Sequence, residues 1–177
     1  FKIGVGPSSS HTVGPMRAAH DFVAELQRRG LLDQVRRIEA KLYGSLSATG
    51  VGHGTDRAVV AGLMGARPDE VDPDFLVGAI DAVRIDASLP LGGTTAVPFE
   101  WTRDLRLLPV SLPYHPNAMR LAAHGEAGVL YENTYYSVGG GFVVDEAQAQ
   151  SGAPAEAAVA VPYPFDTGAE LLAQCRR

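Results

Sequence analysis

The spacing of the hydrophobic residues changes near residue 105, and this change constrains the fold more than any other feature of the sequence. Before it, apolar residues recur at helical spacing over residues 14–29 and 58–64. After it, the pattern predicts a meander of short strands separated by glycine, proline or asparagine turns. These strands cover residues 105–110, 119–123, 129–136 and 142–144. The sequence therefore predicts an α/β fold of the α+β type, in which helices pack against a mostly antiparallel sheet.

The rest of the chain completes a single domain over residues 1–177. With 46% hydrophobic residues, such a chain is large enough to bury a core of its own. Residues 38–43 alternate as a half-buried strand does, and residues 75–83 fit a third helix. The remaining expectations are a turn over residues 68–74, a loop and strand over 89–101, a weakly specified connection over 148–158 and a terminal helix over 168–177.

Composition narrows the classes of function. The net charge is −5, and the basic residues form no stripe with interleaved aromatics, so no nucleic-acid partner is expected. No apolar run approaches the roughly 18 residues that span a bilayer, and no signal peptide precedes the first motif, so we expect a cytoplasmic protein without a membrane partner. The chain starts at Phe1 and holds one cysteine, Cys175. We therefore expect a piece of a longer protein, with no internal disulfide and no cysteine-ligated metal of its own.

Two loops rich in glycine and hydroxyl residues precede predicted helices. We call residues 8–12, SSSHT, the first hydroxyl loop and residues 45–55, SLSATGVGHGT, the second hydroxyl loop. A helix start presents unpaired N–H groups and a positive dipole end, so small hydroxyl residues there suit a carboxylate or phosphate. The alternative is that Ser10, Thr12 and Thr55 only cap helices. Capping explains one residue per helix, whereas each loop holds five polar residues, which favours a small carboxylate ligand.

Standard nucleotide and hydrolase motifs do not fit these loops. No lysine follows either loop as in G-x-x-x-x-G-K-[ST], and neither loop meets G-x-G-x-x-G. The hydrolase elbow G-x-S-x-G is also absent, since residues 6–10 read GPSSS. A serine hydrolase therefore has the residue types here but lacks its defining turn.

The histidines divide into two groups. His11 and His53 lie in the hydroxyl loops, where an imidazole can exchange a proton near neutral pH, and Asp56 could orient the His53 ring. His20 is interpreted as a surface or boundary residue of the first helix, and His115 and His124 are interpreted as structural unless the fold brings them to the loops.

A tyrosine and glycine segment, YENTYYSVGGGF, ends the predicted meander at residues 131–142. Three consecutive glycines predict a backbone role, such as a bulge or the close approach of another segment. As an alternative, Tyr135, Tyr136 and Ser137 could face a neighbouring domain.

Four segments together carry a family resemblance. GPSSSHTVGPMRAA, YGSLSATGVGHGTDRAVVAGLMG, HPNAMR and YYSVGGGF follow one another along the chain. In this order they resemble the β domain of the bacterial iron–sulfur-dependent L-serine dehydratases, also called L-serine ammonia-lyases. The resemblance covers nearly the whole chain. That β domain is in turn similar to the allosteric substrate-binding domain of some phosphoglycerate dehydrogenases, which implies the same fold here.

The resemblance implies a two-part enzyme that converts L-serine to pyruvate and ammonia. In the family a separate α domain ligates a [4Fe–4S] cluster, and an iron with an open position acts as a Lewis acid on the substrate hydroxyl. This chain would bind no cofactor itself. Its expected partners are L-serine, the α domain and, through sheet edges within residues 105–144, further copies of itself in a homo-oligomer.

We hypothesise that the first hydroxyl loop, together with residues 53–55 at the end of the second, forms the β-domain wall of a shared pocket. His53 is the first choice for acid–base catalysis, and His11 for contacts with the substrate carboxylate or hydroxyl. The residues predicted to bind substrate are Ser8, Ser9, Ser10, Thr12, Gly54 and Thr55. A second hypothesis is a regulatory module whose loops hold L-serine or another small acid and change how subunits associate.

Overall fold

The computed structural model describes residues 4–151 and 163–176, and it confirms the predicted α+β class. The strands are β1 (Arg37–Tyr43), β2 (Ser88–Leu91), β3 (Thr95–Pro98), β4 (Leu105–Leu108), β5 (Ala118–Gly125), β6 (Gly128–Gly139) and β7 (Phe142–Asp145). The helices are α1 (Gly14–Arg28), α2 (Gly44–Ala48), α3 (Thr55–Leu63), α4 (Pro73–Asp86), α5 (Trp101–Asp104), α6 (Glu146–Ser151) and α7 (Gly168–Cys175). No helix within the described residues is both long and apolar enough to cross a membrane.

A five-stranded sheet with the order β4-β1-β5-β6-β7 forms the centre of the domain, and β2 and β3 form a separate antiparallel pair. The predicted meander is confirmed for β5, β6 and β7, which are consecutive antiparallel neighbours. It is wrong for β4, which pairs in parallel with β1, so that Leu107 lies opposite Leu42. The helices between these two strands carry the chain back across the sheet, as a parallel connection requires.

The core lies between the helices and one face of the sheet. Alternation along β1 buries Ile38, Ala40 and Leu42 completely, against Phe22 of α1 and Val59 of α3. The helical spacing in α1 and α3 and the strand spacing in β1 thus lead to one shared core. Because the hydroxyl loops lead directly into α1 and α3, the core also fixes where both loops lie.

Several boundaries differ from the predictions. The second hydroxyl loop is not irregular, because it contains α2 and a 3₁₀ turn at Val51–His53. Helix α4 begins at Pro73 after the Asp72 cap, which accepts a hydrogen bond from the Asp74 N–H, so the end of the predicted turn is helical. The weakly specified connection begins within α6, and its residues 152–158 lie outside the described residues. The terminal helix is confirmed as α7.

The glycine run takes the predicted backbone role. Gly139, Gly140 and Gly141 have φ values of 101°, 60° and 80°, which favour glycine, and they form the turn from β6 into β7 beside a shift in strand register. The alternative, in which the residues just before the glycines face a neighbouring domain, is wrong. Tyr135, Tyr136 and Ser137 are buried within this chain.

Candidate functional site

The two hydroxyl loops meet beside the starts of α1 and α3. The ring centroids of His11 and His53 are 5.0 Å apart, with their planes inclined by 43°. A further contact joins His11 Nε2 to Ser45 Oγ at 3.0 Å. Two segments that are distant in sequence therefore form one surface that carries both imidazoles.

The first hydroxyl loop winds into a π-helical turn, Ser9–Val13, that runs directly into α1. Ser8 caps this turn, since its Oγ accepts the backbone N–H of His11 at 3.1 Å. The Ser8 carbonyl accepts hydrogen bonds from the N–H groups of both Thr12 and Val13. Single π turns of this kind occur frequently at functional sites. Here the turn places the side chain of His11 beside the second hydroxyl loop.

Serine hydroxyls contact both ring nitrogens of His11. Ser10 Oγ lies 2.9 Å from Nδ1, and Ser45 Oγ lies 3.0 Å from Nε2. Burial lowers the pKa of His11 below 6.5, the nearby His53 lowers it further, and a hydrogen bond with Ser45 acts in the opposite direction. The ring is therefore neutral at neutral pH, with one nitrogen as donor and the other as acceptor.

His53 is held in a different way. It ends the 3₁₀ turn, and Gly54 follows with a φ of 69°, the left-handed conformation that glycine permits. The ring Nδ1 lies 2.9 Å from the carbonyl oxygen of Thr49. Because a carbonyl can only accept, Nδ1 carries the proton and Nε2 carries the lone pair in the neutral ring. Within the described residues Nε2 has no hydrogen-bond partner, so it is free to accept a proton.

Two buried threonines connect the loops. Thr12 Oγ1 donates to the carbonyl of His53 at 2.9 Å, and Thr55 Oγ1 donates to the carbonyl of His11 at 2.5 Å. The capping alternative is wrong for both, since neither hydroxyl accepts an N–H at the start of its helix. It is also wrong for Ser10, because Ser8 caps the π-helical turn.

The ring of His53 is oriented by Thr49 and not, as the sequence suggested, by Asp56. The Asp56 carboxylate lies 3.7 Å from the guanidinium of Arg84 on α4. That guanidinium also lies 4.1 Å from the centroid of the Trp101 ring. Asp56 therefore ties α3 to α4, a contact that only the fold reveals.

The predicted site omits Ser45 and Thr49, although both contact a histidine ring. They stand four residues apart at α2, and that spacing places them on one side of a helix. Reading the second hydroxyl loop as partly helical would have shown this relationship. The Ser45 N–H also donates to the carbonyl of Pro116 at 3.0 Å, so the turn that contains His115 supports this loop.

The remaining candidates differ in accessibility. Ser9 is exposed, whereas Ser8, Ser10 and Gly54 are half-buried. His20 lies 3.3 Å from the adjacent Asp21.

His115, in the turn before β5, accepts the Asn117 N–H at its Nδ1 at 3.1 Å. His124 lies in β5. The His115 contact is local, as its structural interpretation predicts, whereas the buried Nε2 of His124 has no hydrogen-bond partner among the described residues.

Metal ligands are sparse in the part of the chain that the structure describes. It contains no group of three or more histidine, cysteine or acidic residues that could hold a metal ion. Cys175, the single cysteine of the sequence, is exposed on α7. These residues do not fit a [4Fe–4S] cluster, which needs several thiolate ligands.

Comparison with known proteins adds independent information. Residues 1–148 match the model of a family described as serine dehydratase beta chain. The chain is 48% identical to L-serine dehydratase 1 of Escherichia coli (strain K12) over 176 residues, which are 99% of this chain and 38% of that protein. It is 44% identical to L-serine dehydratase of Mycobacterium bovis over 179 residues, covering 100% of this chain and 38% of that protein. It thus spans about two fifths of the length of these relatives.

Proposed function

We propose that this chain, which belongs to the serine dehydratase beta chain family, is the β domain of an L-serine ammonia-lyase. Such an enzyme converts L-serine to pyruvate and ammonia. The observation that carries the proposal is the convergence of His11 and His53, with Nε2 of His53 left without a partner among the described residues. Since the chain spans 38% of its relatives, the activity belongs to the longer protein.

His53 is the proposed base. Its Nε2 takes the proton from the α carbon of L-serine, and the electron pair of that C–H bond forms the double bond between the α and β carbons. The β C–O bond breaks, and its oxygen leaves as hydroxide, which is protonated to water. The resulting aminoacrylate tautomerises to an imine, which hydrolyses to pyruvate and ammonia.

The first hydroxyl loop is the proposed wall for the substrate carboxylate. Ser8 and Ser10 are half-buried and Ser9 is exposed, so their hydroxyls can reach a small molecule beside the rings. Fixed hydroxyl donors stabilise the additional negative charge that develops on the carboxylate as the α proton leaves. A neutral His11 among them can donate or accept a hydrogen bond without adding a positive charge to the one that His53 acquires when it takes the proton.

The [4Fe–4S] cluster is proposed to belong to the α domain, because the described residues of this chain do not fit it. The α domain and the homo-oligomer remain predicted partners. In this sheet β4 and β7 are the edge strands within the described residues, and an oligomer that pairs through sheet edges would use one of them.

The proposal is tested with the full-length protein, purified without oxygen and assayed for pyruvate from L-serine. We expect pyruvate and ammonia in equal amounts, and no activity from residues 1–177 alone. A full-length protein that forms no pyruvate would contradict the proposed function.

The regulatory alternative is separated by titrating the isolated chain with L-serine. A self-contained regulatory site should bind at sub-millimolar concentration. Half of a shared catalytic pocket should bind weakly, because the groups that complete it lie outside this chain.

A further inference from the structure

The hydroxyl groups of Thr12 and Thr55 both donate hydrogen bonds within the chain. A threonine hydroxyl has a single proton, and each of these protons is donated to a backbone carbonyl. A carboxylate has no proton and needs a donor, so neither threonine can hold the substrate carboxylate while its present hydrogen bond exists. The chemistry of the two hydrogen bonds therefore points away from substrate binding.

Burial leads to the same conclusion. Thr12 is 6% exposed and Thr55 is 0% exposed, whereas Ser9 of the same site is exposed. A side chain that binds a substrate must be reachable from the pocket. Thr55 is fully enclosed, and Thr12, which borders a cavity beside His53 and Gly54, has its hydroxyl turned to the His53 carbonyl.

The hydrogen bonds are reciprocal. Thr12 follows His11 and holds the carbonyl of His53, while Thr55 lies two residues after His53 and holds the carbonyl of His11. Two such bonds between the same pair of loops fix both their separation and their relative orientation. One bond alone would still allow rotation about it.

The backbone is shaped around both threonines. A Cβ on Gly6, where φ is 94°, would collide with Thr12 Cγ2. A Cβ on Gly50 would lie 3.0 Å from Thr55 Cβ, a tight contact, although its main clash would be with the Leu46 carbonyl oxygen. Each threonine therefore packs against a glycine, Gly6 for Thr12 and Gly50 for Thr55, where a side chain would not fit.

We propose that Thr12 and Thr55 are positioning residues, which together form a brace that sets the distance between the two imidazoles. This inference rests on the proposed function, and it replaces the expectation that both threonines bind substrate. The brace acts on His53 and His11 through their backbone carbonyls and touches no reacting atom.

The test uses the full-length enzyme with Thr12→Val, which keeps the shape and removes the donor. We expect kcat to fall by about 10- to 100-fold, as for small misplacements of catalytic groups, while KM for L-serine changes by less than about threefold. Thr12→Ser keeps the hydroxyl and should restore most of kcat. Thr134→Val is the matched control for losing a buried threonine hydroxyl, because Thr134 Oγ1 accepts Arg120 Nε within the sheet and not at the site, and kcat should stay within about twofold of wild type.

Three outcomes would overturn the brace: a Thr12→Val enzyme within twofold of wild type, a Thr12→Ser enzyme as impaired as Thr12→Val, or a loss that appears only in KM. Pyruvate formation by the wild type reports separately on the proposed function. A double-mutant cycle of unfolding tests the brace whether or not the wild type is active. The effect of the Thr12→Val, Thr55→Val double variant on the unfolding equilibrium constant should differ from the product of the two single effects by at least about twofold, because both hydrogen bonds belong to the brace. Independent effects in that measurement would also overturn the brace.

Discussion

The two imidazoles of the site are close neighbours, yet their ring nitrogens have different partners. Serine hydroxyls contact both nitrogens of His11, whereas a backbone carbonyl contacts Nδ1 of His53. A hydroxyl can donate or accept, so His11 can exchange its tautomer by rotation of two hydroxyl groups. A carbonyl only accepts, so His53 cannot exchange without losing this hydrogen bond. The difference suits His11 to binding polar groups and His53 to accepting a proton at one fixed nitrogen.

The largest effect should come from removing the imidazoles one at a time in the full-length enzyme. We expect His53→Gln to lower kcat by about 10²–10⁴-fold, the usual contribution of a general base. His11→Gln should act mainly on KM for L-serine, because this ring is proposed to contact the substrate. Steady-state assays of pyruvate formation measure both constants. A His53→Gln enzyme within a few-fold of wild type would remove this ring from the chemistry.

The left-handed glycine after His53 offers the next test of how each ring is held. A Cβ on Gly54 would meet no atom within 4 Å, so the cost of Gly54→Ala is conformational. It should lower the free energy of unfolding by about 1–2 kcal/mol, because an L-residue is strained at a φ of 69°. Gly52→Ala is the control, since Gly52 has equally open surroundings without a positive φ. Urea titration of this chain should separate the two variants, and equal losses would contradict the explanation.

The cap of the first hydroxyl loop has no counterpart in the second, where Gly54 precedes α3 without a capping side chain. Ser8→Ala should therefore cost about 1 kcal/mol of unfolding free energy, typical of a lost N-cap. Ser9→Ala, at an exposed side chain, should change it by less than about 0.5 kcal/mol. If thermal or urea unfolding gives the reverse order, Ser8 does not hold this loop.

The smallest effect concerns the electrostatic influence of one ring on the other. In His53→Gln the pKa of His11 should rise, because the neighbouring charge that lowers it is gone. It should remain below 6.5, since burial, the larger cause, persists. An NMR titration of the histidine ring protons measures this pKa. The pKa of His115, which burial alone lowers, should not move, and a fall in the pKa of His11 would contradict the assignment.

Much of the fold could be predicted from local spacing. Helix α1 and strand β1 appear within a residue or so of their predicted ends, because their burial pattern repeats along the chain itself. The partner of β4 could not be predicted in this way. Its alternation would be the same beside β5 as beside β1, and only the path of the intervening helices decides between them.

The site was predicted in its residue types and not in its contacts. Glycine and hydroxyl content identified both loops, and the structure brings His11 and His53 together. The partners of those rings depend on distances that the packed helices set, which is why Thr49 was missed and Asp56 was chosen instead. The catalytic roles of both histidines stay predictions until the enzyme assays are done.

The parallel pairing of β1 with β4 places Ala40 opposite Leu105, so the centre of the sheet depends on contacts between remote parts of the chain. Such pairings raise the contact order, since long chain loops must close before the contacts can stabilise them. The hydrogen bonds between the two hydroxyl loops join residues 34 to 44 positions apart and depend on the same closure. We therefore expect slow folding, in which the two imidazoles come together only after these long chain loops have closed.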